Sequence, residues 1–260
     1  MQPPAIKAAK AGICNRVLMP GRWHDASRRG SALVLTLPAM PAKLLTEFVG
    51  TFIFLCAIAL SGHAGALAPL AIGMTLAAMV YMGGHVSGAH YNPAVSFGLL
   101  LRGVISPLTL ALYWLTQLVA GSLAFAFGYL ITGHSAGIHP GAGVSWYSAL
   151  AAEVVFTTAL VLVVLNVAAT RETAGNSYYG LAIGFIVAAG AFAVGPISGA
   201  AFNPAVGFSA TLSGAAFGHD SWSDLWIYIV GPLAGAALGA GVHHLQARRA
   251  PLPPEASERS

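Results

Sequence analysis

Charged residues are scarce in this sequence. Asp, Glu, Lys and Arg together make up only 8% of the chain, whereas they make up about a quarter of a typical soluble domain. Hydrophobic residues account for 57%. A chain with so few charges and so much apolar surface is not an ordinary soluble domain, and we expect a protein embedded in a lipid bilayer.

Cysteine is also rare, with only Cys14 and Cys56 in the chain. Cys14 lies in the polar N-terminal segment and Cys56 in the middle of an apolar stretch, so we expect no disulfide between them. The sequence also lacks paired acids, a cluster of metal ligands and a nucleophile placed beside a base. We therefore expect no enzyme activity, no metal and no cofactor.

One sequence unit occurs twice. Ser-Gly-Ala followed by Asn-Pro-Ala-Val is found at 87–97 and again at 198–208, which sets Asn92 and Asn203 apart by 111 residues (203 − 92). Leu-Ala-Ile-Gly recurs at 70–73 and 181–184 with the same offset (181 − 70). Such a duplication in a long hydrophobic chain indicates a transporter or channel.

Each Asn-Pro-Ala motif predicts the start of a short helix. Asn is a good N-cap, and proline is favoured at the first helical position, where its missing N–H costs nothing. The helices predicted at 92–101 and 203–212 have about half of the ~20 residues that a bilayer requires. Their N-termini therefore end inside the membrane, where such backbone must be buried in protein or line a water-filled cavity.

Six other apolar stretches are long enough to span a membrane. The repeat places three spans in each half, and an odd number requires the second half to be inverted relative to the first. We therefore predict an all-α membrane protein with six transmembrane helices and two re-entrant half-helices that meet near the midplane. The predicted spans are 44–60, 67–82, 107–131, 146–169, 178–194 and 225–245.

The basic residues predict the orientation. If the N-terminus is cytoplasmic, all 12 Lys and Arg residues fall on the cytoplasmic side, as the positive-inside rule requires. This placement explains the net charge of +4 without nucleic acid as a partner. We expect both termini to be cytoplasmic and the membrane to be a cell (plasma or inner) membrane.

The domain boundaries follow from the same pattern. Residues 1–38 are expected to form a basic, disordered cytoplasmic tail, with an organellar targeting peptide as the alternative because the segment is Arg-rich and acid-poor. The channel domain is predicted at 39–246, with repeat one at about 39–131 and repeat two at about 146–246. Residues 247–260 are a predicted C-terminal tail.

The paired Asn-Pro-Ala motifs, each preceded by Ser-Gly, and the Leu-Ala-Ile-Gly segments upstream of both resemble the major intrinsic protein family, the aquaporins and glycerol facilitators. The resemblance implies a passive channel for water and small neutral solutes, assembled as a homotetramer with one pore per subunit. The motif residues expected at the pore are Asn92, Pro93, Ala94, Asn203, Pro204 and Ala205.

The mechanism expected of such a pore depends on the two asparagines. If each side-chain carbonyl is occupied by nearby backbone, the amide donors point into the lumen. Each half-helix also directs roughly half a positive charge at the midplane. Together these features should repel cations and interrupt a chain of hydrogen-bonded waters that could carry protons.

The residues around the motifs have supporting roles in this interpretation. The resemblance implies that backbone carbonyls before each asparagine replace the hydration of the permeating molecule. Glu47 and Glu153 are acids within the spans, which usually marks a functional position. We expect them to accept hydrogen bonds from these loops, with a proton relay as the alternative, and we expect His85 and His90 to be buried hydrogen-bonding residues. The expected carbonyls belong to Gly88, Ala89, His90, Gly199, Ala200 and Ala201.

The sequence departs from the family at one point. Members usually have Arg after the second Asn-Pro-Ala, and this chain has Val206. Alignment to the family places the other constriction positions at Ile72, Ala191 and Ala200. This ring would be wide, apolar and uncharged, which predicts passage of water together with ammonia, urea, glycerol, peroxide or dissolved gas. An apolar constriction can also exclude water and close the pore.

Two other classes fit part of the pattern. Inverted repeats with broken helices also occur in secondary transporters, which would need an ion or proton site at Glu47 or Glu153. A poorly conducting structural member of the family is the third possibility. Saturable uptake coupled to an ion gradient would indicate a transporter, and passive flux would indicate a channel. Absence of flux would indicate a structural protein.

Overall fold

The computed structural model describes residues 39–218 and 221–247. In these ranges the chain forms eight α-helices. The predicted N-terminal tail, Cys14 and all but the first residue of the predicted C-terminal tail lie outside the described residues. The helices are α1 (Ala39–Leu60), α2 (Ala68–Gly83), α3 (Pro93–Leu101), α4 (Pro107–Thr132), α5 (Trp146–Ala168), α6 (Tyr179–Ser198), α7 (Pro204–Ser213) and α8 (Leu225–Ala247).

Six of these helices are long and apolar enough to cross a membrane, namely all except α3 and α7. The two short helices have nine and ten residues, too few to span a bilayer. The protein is therefore a multi-pass membrane protein, and the predicted all-α architecture with two half-helices is confirmed.

Two boundaries of the spanning helices differ from the prediction by more than two residues. α1 begins at Ala39 rather than at residue 44 because Pro41 lies in its first turn, where backbone N–H groups have no helical partner and the N–H that proline lacks is not needed. α6 continues past the predicted end at residue 194 and includes Pro196 in its last turn. It ends at Ser198, and the following Gly199 is left-handed (φ 84°) and donates its N–H to the carbonyl of Gly195 over 2.9 Å.

The helices pack as an inverted repeat. In the first half α1 packs against α4, and in the second half α5 packs against α8. The half-helix α3 of the first half packs against α8 of the second, and α7 packs against α4 of the first. Each half-helix is therefore held by a spanning helix of the opposite half.

The central contact between the halves joins α2 and α6 at two glycines. A side-chain carbon placed on Gly73 would lie 2.5 Å from the carbonyl oxygen of Gly184 and 2.7 Å from Cβ of Ala188. The same substitution on Gly184 would overlap the carbonyl oxygen of Gly73. Small residues allow membrane helices to approach this closely, and this contact brings the two copies of the unit together.

Candidate pore at the centre of the bundle

The two asparagines cap the half-helices. Asn92 is extended (φ −157°) and its side-chain oxygen accepts a hydrogen bond from the Ala94 N–H over 2.8 Å. Asn203 has the same conformation (φ −154°) and accepts from the Ala205 N–H over 2.9 Å. In both residues the side-chain carbonyl is therefore occupied by backbone, and the amide group faces away from its own helix.

Each amide then donates across the boundary between the halves. Nδ2 of Asn92 donates to the carbonyl oxygen of Phe202 over 2.8 Å, and Nδ2 of Asn203 donates to the carbonyl oxygen of Tyr91 over 3.0 Å. The structure thus brings the two asparagines together, as expected. Sequence reasoning did not anticipate that one donor of each amide is bonded to the opposite half.

The backbone before each asparagine is in a rarely populated conformation. Ala89 (φ 51°) and Tyr91 (φ 49°) are left-handed in the first half, and Ala200 (φ 54°) and Phe202 (φ 49°) match them in the second. Such residues cost about 1–3 kcal/mol each and persist only where the surroundings enforce them. The matched strain marks both segments as candidate functional backbone.

Glu47 holds the first strained segment. Its carboxylate is fully buried. One oxygen accepts from the Ser87 hydroxyl over 2.7 Å and from the His90 N–H over 2.9 Å. The other accepts from the Tyr91 N–H over 2.8 Å and from the Gln117 amide over 2.9 Å. Each of these partners is a donor, which suits an ionised carboxylate that fixes the loop.

Glu153 makes the corresponding contacts in the second half. One oxygen accepts from the Ser198 hydroxyl over 2.8 Å and from the Ala201 N–H over 3.0 Å, and the other from the Phe202 N–H over 2.7 Å. Both glutamates therefore bind the backbone immediately before an asparagine, the geometry that a loop-supporting role requires.

Two tyrosines tie the same segments to spanning helices. The Tyr113 hydroxyl on α4 donates to the carbonyl of Ser87 over 2.7 Å, and the Tyr228 hydroxyl on α8 donates to the carbonyl of Ser198 over 2.7 Å. The serines recur in the duplicated motif and could have been singled out. The tyrosines were missed because the repeat is not evident around them in the sequence.

A cavity lies where the two strained segments meet. Asn92, Asn203 and His90 are the polar residues of its wall, and the remaining lining residues are apolar. Nδ1 of His90 lies 2.9 Å from the Ser96 hydroxyl, and His90 is buried as expected. His85 is exposed, so its predicted burial is wrong.

Other predicted pore residues have different positions relative to this cavity. Ala89 and Ala201 line it together with His90, whereas Gly88 and Gly199 do not. The four predicted constriction residues are also absent from its wall. Val206 is fully buried, and the other three are half-buried: Ile72, Ala191 and Ala200. The constriction therefore stays a prediction.

Two short helices that enter from opposite ends of an inverted repeat, and meet at crossed amides beside a cavity, define a membrane protein with a re-entrant channel architecture. Comparison with known proteins identifies it further. A family model described as "Major intrinsic protein" matches residues 35–243. The chain belongs to the major intrinsic protein family.

Individual relatives agree with this assignment. The probable aquaporin TIP3-2 of Oryza sativa subsp. japonica is 34% identical over 260 aligned residues, which cover 93% of this chain and 96% of that protein. The probable aquaporin TIP-type alpha of Phaseolus vulgaris is 39% identical over 227 residues, covering 80% and 86%. The resemblance stated from the sequence is therefore confirmed.

A solved structure supports the fold independently. The aquaglyceroporin of Plasmodium falciparum superposes with a TM-score of 0.70 at 22% identity and covers 78% of this chain and 95% of that one. At this identity the likeness concerns the arrangement of helices alone.

Proposed function

We propose that this protein is a passive channel for water and small neutral solutes, with its pathway through the cavity between the two half-helices. The observation that carries the proposal is the pair of crossed amides, Asn92 to Phe202 and Asn203 to Tyr91, beside that cavity. A relative that carries the name aquaporin matches 93% of the chain, which favours a channel over an enzyme.

The same geometry supports exclusion of ions and protons. Each amide has two N–H donors, one of which is bonded across the repeat, so the second is left for a permeating molecule. The side-chain oxygens are held by Ala94 and Ala205, so a water beside an asparagine accepts a hydrogen bond rather than donating one. The positive ends of α3 and α7 add to the barrier for cations.

The proposed selectivity is broad. Val206 stands where family members usually have Arg, and it supplies neither a charge nor a hydrogen-bond donor. With Ile72, Ala191 and Ala200 it would form an apolar constriction that admits water together with ammonia, urea, glycerol, peroxide or dissolved gas. The competing proposal is a poorly conducting pore, since apolar constrictions can exclude water.

The assembly and orientation are also proposals. We infer that both termini are cytoplasmic, because Lys43, Arg102 and Arg171 then lie on the side that the positive-inside rule requires. We further propose a homotetramer with one pore per subunit in a cell membrane. Cross-linking of the purified protein tests the assembly, and protease accessibility in sealed vesicles tests the orientation.

Stopped-flow light scattering of proteoliposomes tests the permeability. We expect water flux and urea or glycerol flux well above empty vesicles, without saturation and without coupling to a proton or sodium gradient. Val206→Arg should reduce solute flux more than water flux. Flux that saturates and follows an ion gradient would indicate a secondary transporter, and absence of water flux would indicate a structural role.

A further inference from the structure

We propose that Tyr91 and Phe202 are positioning residues for selective permeation, and that their aromatic rings set the carbonyl groups to which Asn203 and Asn92 donate. The inference rests on the proposed channel function. It adds that the orientation of each asparagine is controlled from the opposite half of the chain, through the residue that directly precedes the other asparagine.

Tyr91 is fixed at three points. Its N–H donates to Glu47 over 2.8 Å, its carbonyl accepts from Asn203 over 3.0 Å, and its hydroxyl donates to the carbonyl of Met79 over 3.0 Å. The side chain is fully buried. The ring therefore helps to fix the left-handed residue that bears the carbonyl, and we expect a displacement of the ring to shift that carbonyl.

Phe202 has the matching position in the second half. Its N–H donates to Glu153 over 2.7 Å and its carbonyl accepts from Asn92 over 2.8 Å. The ring stacks on Phe156, with centroids 5.6 Å apart and planes inclined by 28°. Packing against an aromatic partner thus replaces the hydroxyl contact that Tyr91 makes.

Glycines make room for both rings. A side-chain carbon on Gly50 of α1 or on Gly83 of α2 would overlap the Tyr91 side chain. One on Gly190 of α6 would lie 2.7 Å from the Phe202 ring. The rings therefore fill closely fitted slots in the spanning helices, and interiors packed this tightly transmit small displacements instead of absorbing them.

The position of these carbonyls also determines the direction of the remaining N–H donor of each asparagine amide. With the side-chain oxygen held by its own helix and one N–H held by the opposite carbonyl, the planar amide has one orientation, and its second N–H has one direction. If the opposite carbonyl shifts, the amide can turn and present its oxygen to the permeating water. A permeating water could then donate a hydrogen bond to the asparagine oxygen as well as accept one from the amide. The chain of hydrogen-bonded waters would no longer be interrupted at this point, and the barrier to protons would be weaker.

Tyr91→Leu tests this coupling. We expect reconstituted Tyr91→Leu to keep at least about half of the water permeability while its proton leak rises about tenfold, the change that one net hydrogen bond supplies. Phe125→Leu, a matched loss of ring volume in the buried core of α4, should leave the ratio of proton leak to water permeability unchanged. An unchanged ratio in Tyr91→Leu, with water flux intact, overturns the proposal.

A second asparagine variant distinguishes positioning from general damage. Asn203→Ser keeps an N-cap but is too short to reach the Tyr91 carbonyl. If Tyr91 acts through Asn203, adding Tyr91→Leu to Asn203→Ser should raise the proton leak less than twofold further. A full additional tenfold rise would show that Tyr91 acts independently of Asn203 and would overturn the proposal.

Gly83→Ala gives an independent test that does not enlarge the slot. The added methyl group overlaps the Tyr91 hydroxyl, lies 2.7 Å from Cγ2 of Thr46 and lies 3.1 Å from the ring carbon that bears the hydroxyl. The test therefore uses a Thr46→Ser background, which removes the second overlap. In that background Gly83→Ala should raise the proton leak, and adding Tyr91→Phe should restore most of the selectivity. Failure of this rescue in a folded variant contradicts the assignment. Absence of water flux in the unmodified protein would instead refute the channel function itself.

Discussion

Arg102, which follows the last residue of α3, donates from Nε to Nδ1 of His243 on α8 over 3.0 Å. Its Nη1 lies 2.8 Å from Nδ1 of His244. Because a guanidinium has donors only, Nδ1 of each histidine is the hydrogen-bond acceptor. Nε2 of His243 in turn lies 2.9 Å from the hydroxyl of Thr170. The first half-helix is thus held at both ends, by Asn92 at the cavity and by Arg102 at α8.

This arrangement predicts that the protein loses stability in acid. His243 is buried, and a proton on its Nδ1 would remove the hydrogen bond from Arg102 and place a second positive charge beside the guanidinium. The unfolded chain accepts that proton near pH 6.5 without this conflict, so stability is present above that pH and is lost as the pH falls below it. We expect a lower thermal midpoint in detergent at about pH 5 than at about pH 8.

A double variant provides the control for the pH effect. His243→Gln with His244→Gln retains acceptors for Arg102 but cannot gain a proton. Its thermal midpoint should change less over the same pH range than that of the unmodified protein. Parallel pH profiles would show that other groups are responsible for the acid sensitivity.

Replacing either buried glutamate with glutamine should destabilise the protein. In Glu153→Gln the new NH₂ group must face the N–H of either Ala201 or Phe202, and a buried N–H without an acceptor costs about 1–3 kcal/mol. Glu47→Gln has the same consequence for His90 or Tyr91. We expect both variants to have lower thermal midpoints and reduced water permeability per channel.

Gln117→Met is the matched control for the glutamate variants. It removes a side-chain donor to Glu47 and leaves both backbone N–H bonds to that carboxylate in place. Its effect should therefore be smaller than that of Glu47→Gln. An equal or larger effect would show that Glu47 stabilises the protein mainly through its hydrogen bond with Gln117 of α4, and not through its bonds to the loop backbone.

The contact between α2 and α6 predicts a strong difference between two glycine substitutions. Gly73→Ala forces the helices apart because its methyl group would lie 2.5 Å from the Gly184 carbonyl oxygen, and such overpacking costs about 1–3 kcal/mol. Gly241→Ala on α8 meets nothing within 4 Å and gains up to about 1 kcal/mol of helix propensity. Thermal midpoints should fall for Gly73→Ala and hold or rise for Gly241→Ala.

Much of this architecture could be predicted because it depends on local patterns. The length of the apolar stretches separates spans from half-helices, and Asn-Pro at 92–93 and 203–204 marks where the half-helices begin. The odd number of spans per half required inversion. The end of α6 was misplaced because Pro196 normally stops a helix, whereas here it lies in the last turn and the left-handed Gly199 ends the helix.

The cross-bonds and the supports of the loops could not be predicted in the same way. They join residues that are far apart in sequence, such as Asn92 and Phe202, and nothing local to either residue indicates the partner. Tyr113 and Tyr228 bond equivalent serines, yet they are 115 residues apart (228 − 113) rather than the 111 of the motif. A small shift of register between the copies concealed the relationship.

Tyr113 and Tyr228 support equivalent segments in the two halves of the chain. Each donates over 2.7 Å to the carbonyl of the serine whose hydroxyl binds the local glutamate. Tyr113→Phe and Tyr228→Phe each remove one such bond and keep the ring, so each should cost about 0.5–1.5 kcal/mol. If the supports act independently, the double variant should equal the sum of the two within about 0.5 kcal/mol. Thermal and denaturant unfolding of the reconstituted protein measure the three values. A double variant less damaged than that sum would mean that loss of one support already releases the other segment, because the crossed amides of Asn92 and Asn203 make the two segments move as one.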